Sequence, residues 1–140
     1  EREAKATSLP RTGDYVSDSV LPIVEARREL LVELDHEIEP GVWLEPLTGH
    51  TPGQVGLHVK STTGEMVMCG DMMHHMIQCH MPDWSTNFCT DQAAARTTRR
   101  ALLDRYCETG VLVAPAHFPS PSVGTIERAG KAFGMRYVGE

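Results

Sequence analysis

Thr48-Gly49-His50-Thr51-Pro52-Gly53-Gln54, the run Val55-Gly56-Leu57-His58-Val59-Lys60, the turn Thr63-Gly64 and the run Glu65-Met66-Val67-Met68-Cys69-Gly70-Asp71 decide how the rest of the chain is read. Val55, Leu57 and Val59 alternate with Gly56, His58 and Lys60, which is the period of a strand with one buried face. Thr63-Gly64 turns that strand into a second one, so the stretch is a hairpin. His50 and Asp71 then stand at the ends of neighbouring extended segments, each beside a glycine.

Working outward, Asp35 to Glu39 reads as a short strand, Pro40-Gly41 as a turn and Val42 to Leu47 as a strand leading into Thr48. Ser17 or Asp18 can cap a helix over about 18–34, with Pro22 in its first turn and Val20, Val24, Leu31 and Leu34 near one face. On the other side of the hairpin, Met72 to Pro82 is rich in Met and His and accommodates one helical turn. Thr90 or Asp91 caps a helix running to about Glu108 and stopped by Gly110. Ala94, Thr98, Ala101, Leu102 and Tyr106 lie on its sheet side, with Arg96, Arg99, Arg100 and Asp104 opposite. Val111 to Ala114, bracketed by Gly110 and Pro115, is a buried strand that delivers His117. Two further short strands are expected around 123–127 and 135–138.

With 140 residues, 41% apolar content and 23% charge, the chain has the size and composition of one globular domain. Residues 1–16, polar and without a clean period, read as a connecting arm to a single domain over 17–140. A net charge of −6 with thirteen scattered Lys and Arg leaves no basic stripe for nucleic acid. No apolar run approaches the roughly 20 residues that cross a bilayer, so no membrane partner is expected. The four cysteines, Cys69, Cys79, Cys89 and Cys107, have no Cys-x-x-Cys spacing, and reduced thiols in a cytoplasm are the simplest account of them. The chain begins with Glu1 rather than Met, as a processed or partial product would.

His50, Asp71 and His117 share one setting, the end of an apolar strand beside Gly or Pro. Loops at strand ends, held by a rigid sheet, can aim ligands at one point. Imidazole nitrogen and carboxylate oxygen suit Zn²⁺, and metal held this way makes water a nucleophile near neutral pH. Singly, each residue has an ordinary reading: His50 as a turn histidine, Asp71 as a turn cap, His117 as a satisfied core histidine. Cys69 reads as a small buried residue, and Met66, Met68, Met72, Met73, Met76 and Met81 as mostly core packing. His75, Cys79, His80 and Cys89 lack the repeated ligand spacing of a separate zinc site.

The order Gly-His-Thr-Pro-Gly, strand, turn, strand, Gly-Asp, amphipathic helix, strand, Ala-His-Phe-Pro resembles the C-terminal half of the metallo-β-lactamase superfamily. The likeness is nearest to its lactonase and organophosphate-hydrolase branch, where similar Gly-Asp-x-x-His and Ala-His-x-Pro stretches occur. It implies an α+β fold, half of an αββα sandwich built on a mostly antiparallel sheet with flanking helices. It also implies a hydrolase in which a metal-activated hydroxide attacks an ester, lactone or phosphotriester of a small-molecule substrate. By resemblance His50 completes the first metal site, Asp71 bridges both metals as ligand and catalytic group, and His117 belongs to the second site. His74 matches the histidine after Gly-Asp, with a supporting or substrate-facing catalytic role. Two Zn²⁺ ions are expected in a complete enzyme, with partial or no occupancy in this chain.

One departure stands out. The family's His-x-His-x-Asp-His motif is absent, since His36 is isolated before His50 and His74, His75 and His80 come too late to replace it. The chain therefore reads as one half of the sandwich, whose uncovered sheet face invites a homo-oligomer or association with a missing N-terminal half. The alternative function is a non-catalytic truncated half-domain that folds by self-association.

Overall fold

The computed structural model describes residues 16–139. They fall into two compact units, 16–32 and 33–139. All but Val16 of the stretch read as a connecting arm lies outside the described residues.

In the first unit a π-helical turn, Val16–Val20, leads into the short helix α1 (Leu21–Glu25). Pro22 sits in its first turn, as expected, but Val20 holds the N-cap position and the helix stops far short of residue 34. Arg27 adopts a left-handed φ of 54°, which ends the helical ladder. Every residue from 16 to 32 is exposed, and short helices without a buried face are marginal in water.

The second unit is one sheet in which seven strands lie in chain order: β1 (Glu37–Glu39), β2 (Val42–Pro46), β3 (Val55–Lys60), β4 (Glu65–Gly70), β5 (Leu112–Pro115), β6 (Gly124–Ala129) and β7 (Ala132–Tyr137). All neighbours pair antiparallel except β4 and β5, which are parallel. A parallel pair needs a long crossover, here supplied by α2 (Ile77–His80) and α3 (Gln92–Tyr106). Asp91 caps α3 as its sequence suggests, its carboxylate accepting from the N–H groups of Ala93 and Ala94 at 2.9 Å. The helix ends at Tyr106, ahead of the expected stop at Gly110, because Cys107 is already extended with ψ 127° and Glu108 follows with a left-handed φ of 59°.

The core lies on the helix-bearing face of the sheet, where Leu47, Val67, Cys69, Met72, Met73, Leu102, Leu103, Val113, Ile126 and Phe133 pack together. Cys69 is fully buried, as expected. The methionines divide: Met72 and Met73 are core residues, whereas Met68, Met76 and Met81 are exposed.

The alternation of β3 is correctly placed, and its deeper face is the polar one: Gly56 and His58 are buried while Val55, Leu57 and Val59 are half-exposed. Burial of His58 is possible because it is fully partnered. Its Nδ1 lies 3.2 Å from Glu45 Oε2, its Nε2 lies 2.8 Å from Glu65 Oε1, and Trp43 stacks on its ring at 4.0 Å. The Tyr106 hydroxyl donates to Glu45, and Arg105 Nη1 donates to the same carboxylate at 2.7 Å. This network fastens the C-terminal end of α3 to β2, β3 and β4. The opposite face carries Leu44, Leu57, Met68 and Ala114 in register across four strands, with Met68 39% exposed.

Candidate metal centre

His50 leaves the sheet just after β2 and is secured by α3. The carbonyl of Gly49 accepts from Asp91 N–H at 3.0 Å and that of His50 from Thr90 N–H at 2.9 Å. Gly49 has φ +130°, and a Cβ built on it would stand 2.3 Å from the backbone nitrogen of Ala95, so only glycine fits this approach. Asp71 follows β4 directly. Gly70, with φ +53°, turns the chain out of the strand, and its carbonyl accepts from Ala116 N–H at 3.2 Å, joining the end of β4 to the loop after β5. His117 stands on that loop, next to the buried Phe118. His50, Asp71 and His117 thus stand at one end of the sheet, after β2, β4 and β5, with His50 also held by the first turn of α3.

Asp71 is the meeting point. Its Oδ2 lies 3.2 Å from His50 Nε2 and its Oδ1 lies 3.0 Å from His117 Nε2, so the two carboxylate oxygens face two different imidazoles. His74 fills the space between: its ring centroid is 5.0 Å from that of His50 and 5.1 Å from that of His117, stacked on the latter at 7°. Among the described residues, His50, Asp71 and His74 form a group whose ligand atoms all lie within 4.8 Å of one another. His74 thus stands within the group, while His117 is joined to it through Asp71 and the ring stack.

The surroundings of His74 favour its neutral form. Burial holds His74 below the ordinary imidazole range, and the neighbouring His50, His117 and Arg99 act in the same direction against the pull of Asp71. A neutral imidazole keeps a lone pair for a ligand bond, and His74 Nδ1 is buried without a hydrogen-bond partner. Two imidazoles around one carboxylate, with a third bearing an orphaned nitrogen, are a donor set that fits a borderline divalent metal.

Of the remaining candidates, His75 and His80 are exposed, and His75 Nδ1 accepts from Ile77 N–H at 3.1 Å. Cys79 is packed in the core, its thiol pushed up to about 11 by burial. Cys89 is buried with Sγ 3.7 Å from His50 Nδ1, a neighbour that spacing along the chain does not reveal. Arg99, expected on the solvent side of its helix, is fully buried beneath the His74 loop. The only sequence sign of it was its helical spacing from Leu102, Leu103 and Tyr106, which share the buried face.

No protein-family model matches the chain, and no curated protein matches it by sequence. Solved structures match it by fold. The hydrolase AbOPH, described as in the beta lactamase superfamily, superposes with a TM-score of 0.81 at 23% identity over 88% of this chain and 43% of that one. AidC, a dizinc quorum-quenching lactonase solved with a product, gives 0.74 at 20% identity over 90% and 45%. A probable metal-dependent hydrolase from Staphylococcus aureus gives 0.67 at 17% identity over 79% and 41%. The chain thus spans less than half the length of these three proteins, and over that span it has the metallo-β-lactamase fold that they share.

Proposed function

We propose that this chain carries the Asp-centred metal-ligating part of a metallo-β-lactamase-type hydrolase acting on an ester, lactone or phosphotriester. The observation that carries the reading is Asp71, whose two oxygens are each turned toward a different histidine at 3.2 and 3.0 Å. His50, Asp71 and His117 would hold Zn²⁺, with His74 close enough to join them. When bound, the metal supplies Lewis acidity and lowers the pKa of water to around 7. His74, kept neutral by burial, offers a hydrogen bond to the reacting group without adding the repulsion an imidazolium would bring. The solved neighbour AidC, a lactonase described as dizinc and bound to its product, supports a metal and a small-molecule substrate. Zinc analysis together with turnover on a panel of lactones and phosphotriesters tests the reading. It expects zinc uptake and hydrolysis of at least one member, either by the chain alone or after addition of the part of the fold it does not span. A protein kept from chelators that shows neither would overturn it.

A second reading is favoured by the open sheet face. Leu44, Leu57, Met68 and Ala114 present an apolar row that a second copy, or the remaining part of the fold, would cover. On this reading the chain is a non-catalytic half-domain held by self-association. Light scattering at micromolar concentration should find a dimer or larger species, and Leu57→Lys should dissociate it; a well-folded monomer would count against it. The four free cysteines support a reducing compartment such as the cytoplasm.

A further inference from the structure

Among the described residues Arg99 heads the large side chains that are completely buried, and nothing in the proposed chemistry uses it. Removing a guanidinium from water is strongly unfavourable unless its N–H groups find acceptors. Here the acceptors are backbone carbonyls rather than a carboxylate. Nε donates to Met72 O at 2.9 Å, and Nη1 donates to Pro82 O at 2.6 Å and to Trp84 O at 2.9 Å, while Nη2 is buried and unpaired.

All three carbonyls belong to one segment, which begins just after Asp71 and carries His74. Inside it, Gln78 is also buried and makes a second set of bonds. Its Oε1 accepts from His74 N–H at 2.6 Å and His75 N–H at 3.3 Å, and its Nε2 donates to Trp84 O at 2.8 Å. Trp84 O is therefore shared by Arg99 and Gln78, and a continuous path of hydrogen bonds runs from α3 to the backbone of His74. A side chain that merely filled the space under the loop would need no donors; these donors fix both ends of the loop relative to the helix.

We propose that Arg99, acting through Gln78, is a positioning residue that holds the 72–84 loop so that the His74 imidazole faces Asp71. The metal arm of the test rests on the proposed metal site; the exchange arm does not. Hydrogen exchange on Arg99→Lys should show the His74 amide exchanging at least about tenfold faster, while amides of the β3–β4 hairpin keep their rates. Gln78→Leu, which leaves the buried cation in place, should loosen the same amide and stands in if Arg99→Lys does not fold. Cobalt(II), used as a visible-absorbing probe, should bind Arg99→Lys about 10–100-fold more weakly. That loss should shrink to within about twofold when His74→Ala is already present.

Unchanged exchange at His74, or equal acceleration in the hairpin, would overturn the proposal, as would a cobalt loss of the same size without His74. If the unmodified protein binds no cobalt, the metal reading falls and the exchange result alone decides the positioning role.

Discussion

Gly49 lies against the first turn of α3 so closely that a Cβ on it would stand 2.3 Å from Ala95 N and 2.5 Å from Ala95 Cα. His50 inherits its position from this contact, since the carbonyls on either side of the Gly49–His50 link are bonded to Asp91 and Thr90. Gly49→Ala meets both a left-handed φ of +130° and a backbone clash, and is expected to cost roughly 2–4 kcal/mol in urea unfolding. Gly53→Ala, with nothing within 4 Å of the added carbon, should stay within about 0.5 kcal/mol. Equal effects for the two would remove the proposed seat of His50.

The buried network around Glu45 makes a second prediction. Tyr106→Phe removes the hydroxyl that donates to the Glu45 carboxylate and leaves that oxygen, in a side chain only 7% exposed, with His58 Nδ1 at 3.2 Å. Losing one donor to a buried acceptor should destabilise the fold by about 1–3 kcal/mol in urea unfolding. Adding Glu45→Gln should change that cost markedly, since the two residues share one interaction. Additive effects would show that the hydroxyl and carboxylate are not coupled.

Alkaline stability should reflect the buried thiols. Burial pushes Cys69 up to about 12 and Cys79 up to about 11 from an ordinary value of 9.0. The unfolded chain therefore ionises its thiols first, and the stability they contribute is complete below about pH 9. It is lost as pH rises toward 11 and 12, by an amount on the order of a few kcal/mol. At the acid end the sign reverses for Glu65, held below the ordinary carboxylate value by hydrogen bonds from Lys60 and then His58. Its contribution is present above that ordinary value and disappears as pH falls through its folded value. Urea midpoints measured from pH 8 to 11, with and without Cys69→Ala, check the alkaline limb: the decline should flatten in the variant.

The parts of the fold that depend on local pattern were legible in the chain. Alternation placed β3, the Thr63-Gly64 turn placed β4 after it, Thr90 or Asp91 announced the start of α3, and glycine or proline beside a polar residue at three strand ends marked His50, Asp71 and His117. What was not legible depends on partners distant in sequence. Period two identifies two faces of β3 but not which is deeper, and the polar face sank because Glu45, Glu65 and Tyr106 satisfy His58. A charged Arg99 reads as solvent-facing until the carbonyls of Met72, Pro82 and Trp84 are found around it. The helix expected over 18–34 had a periodic stripe, but its residues from 18 through 32 are exposed. The place of His74 between two other imidazoles was also hidden, because its loop has no period and its backbone is bonded to the side chains of Gln78 and Arg99.

The central claim is that Asp71 and the histidines facing it hold a metal ion. Equilibrium dialysis against Zn²⁺, with the unmodified protein beside Asp71→Asn and His50→Ala, tests it most directly. The account predicts zinc retained by the unmodified protein and affinity lowered at least about tenfold in each variant. A protein that retains no zinc, or variants that retain as much as the unmodified chain, would contradict it.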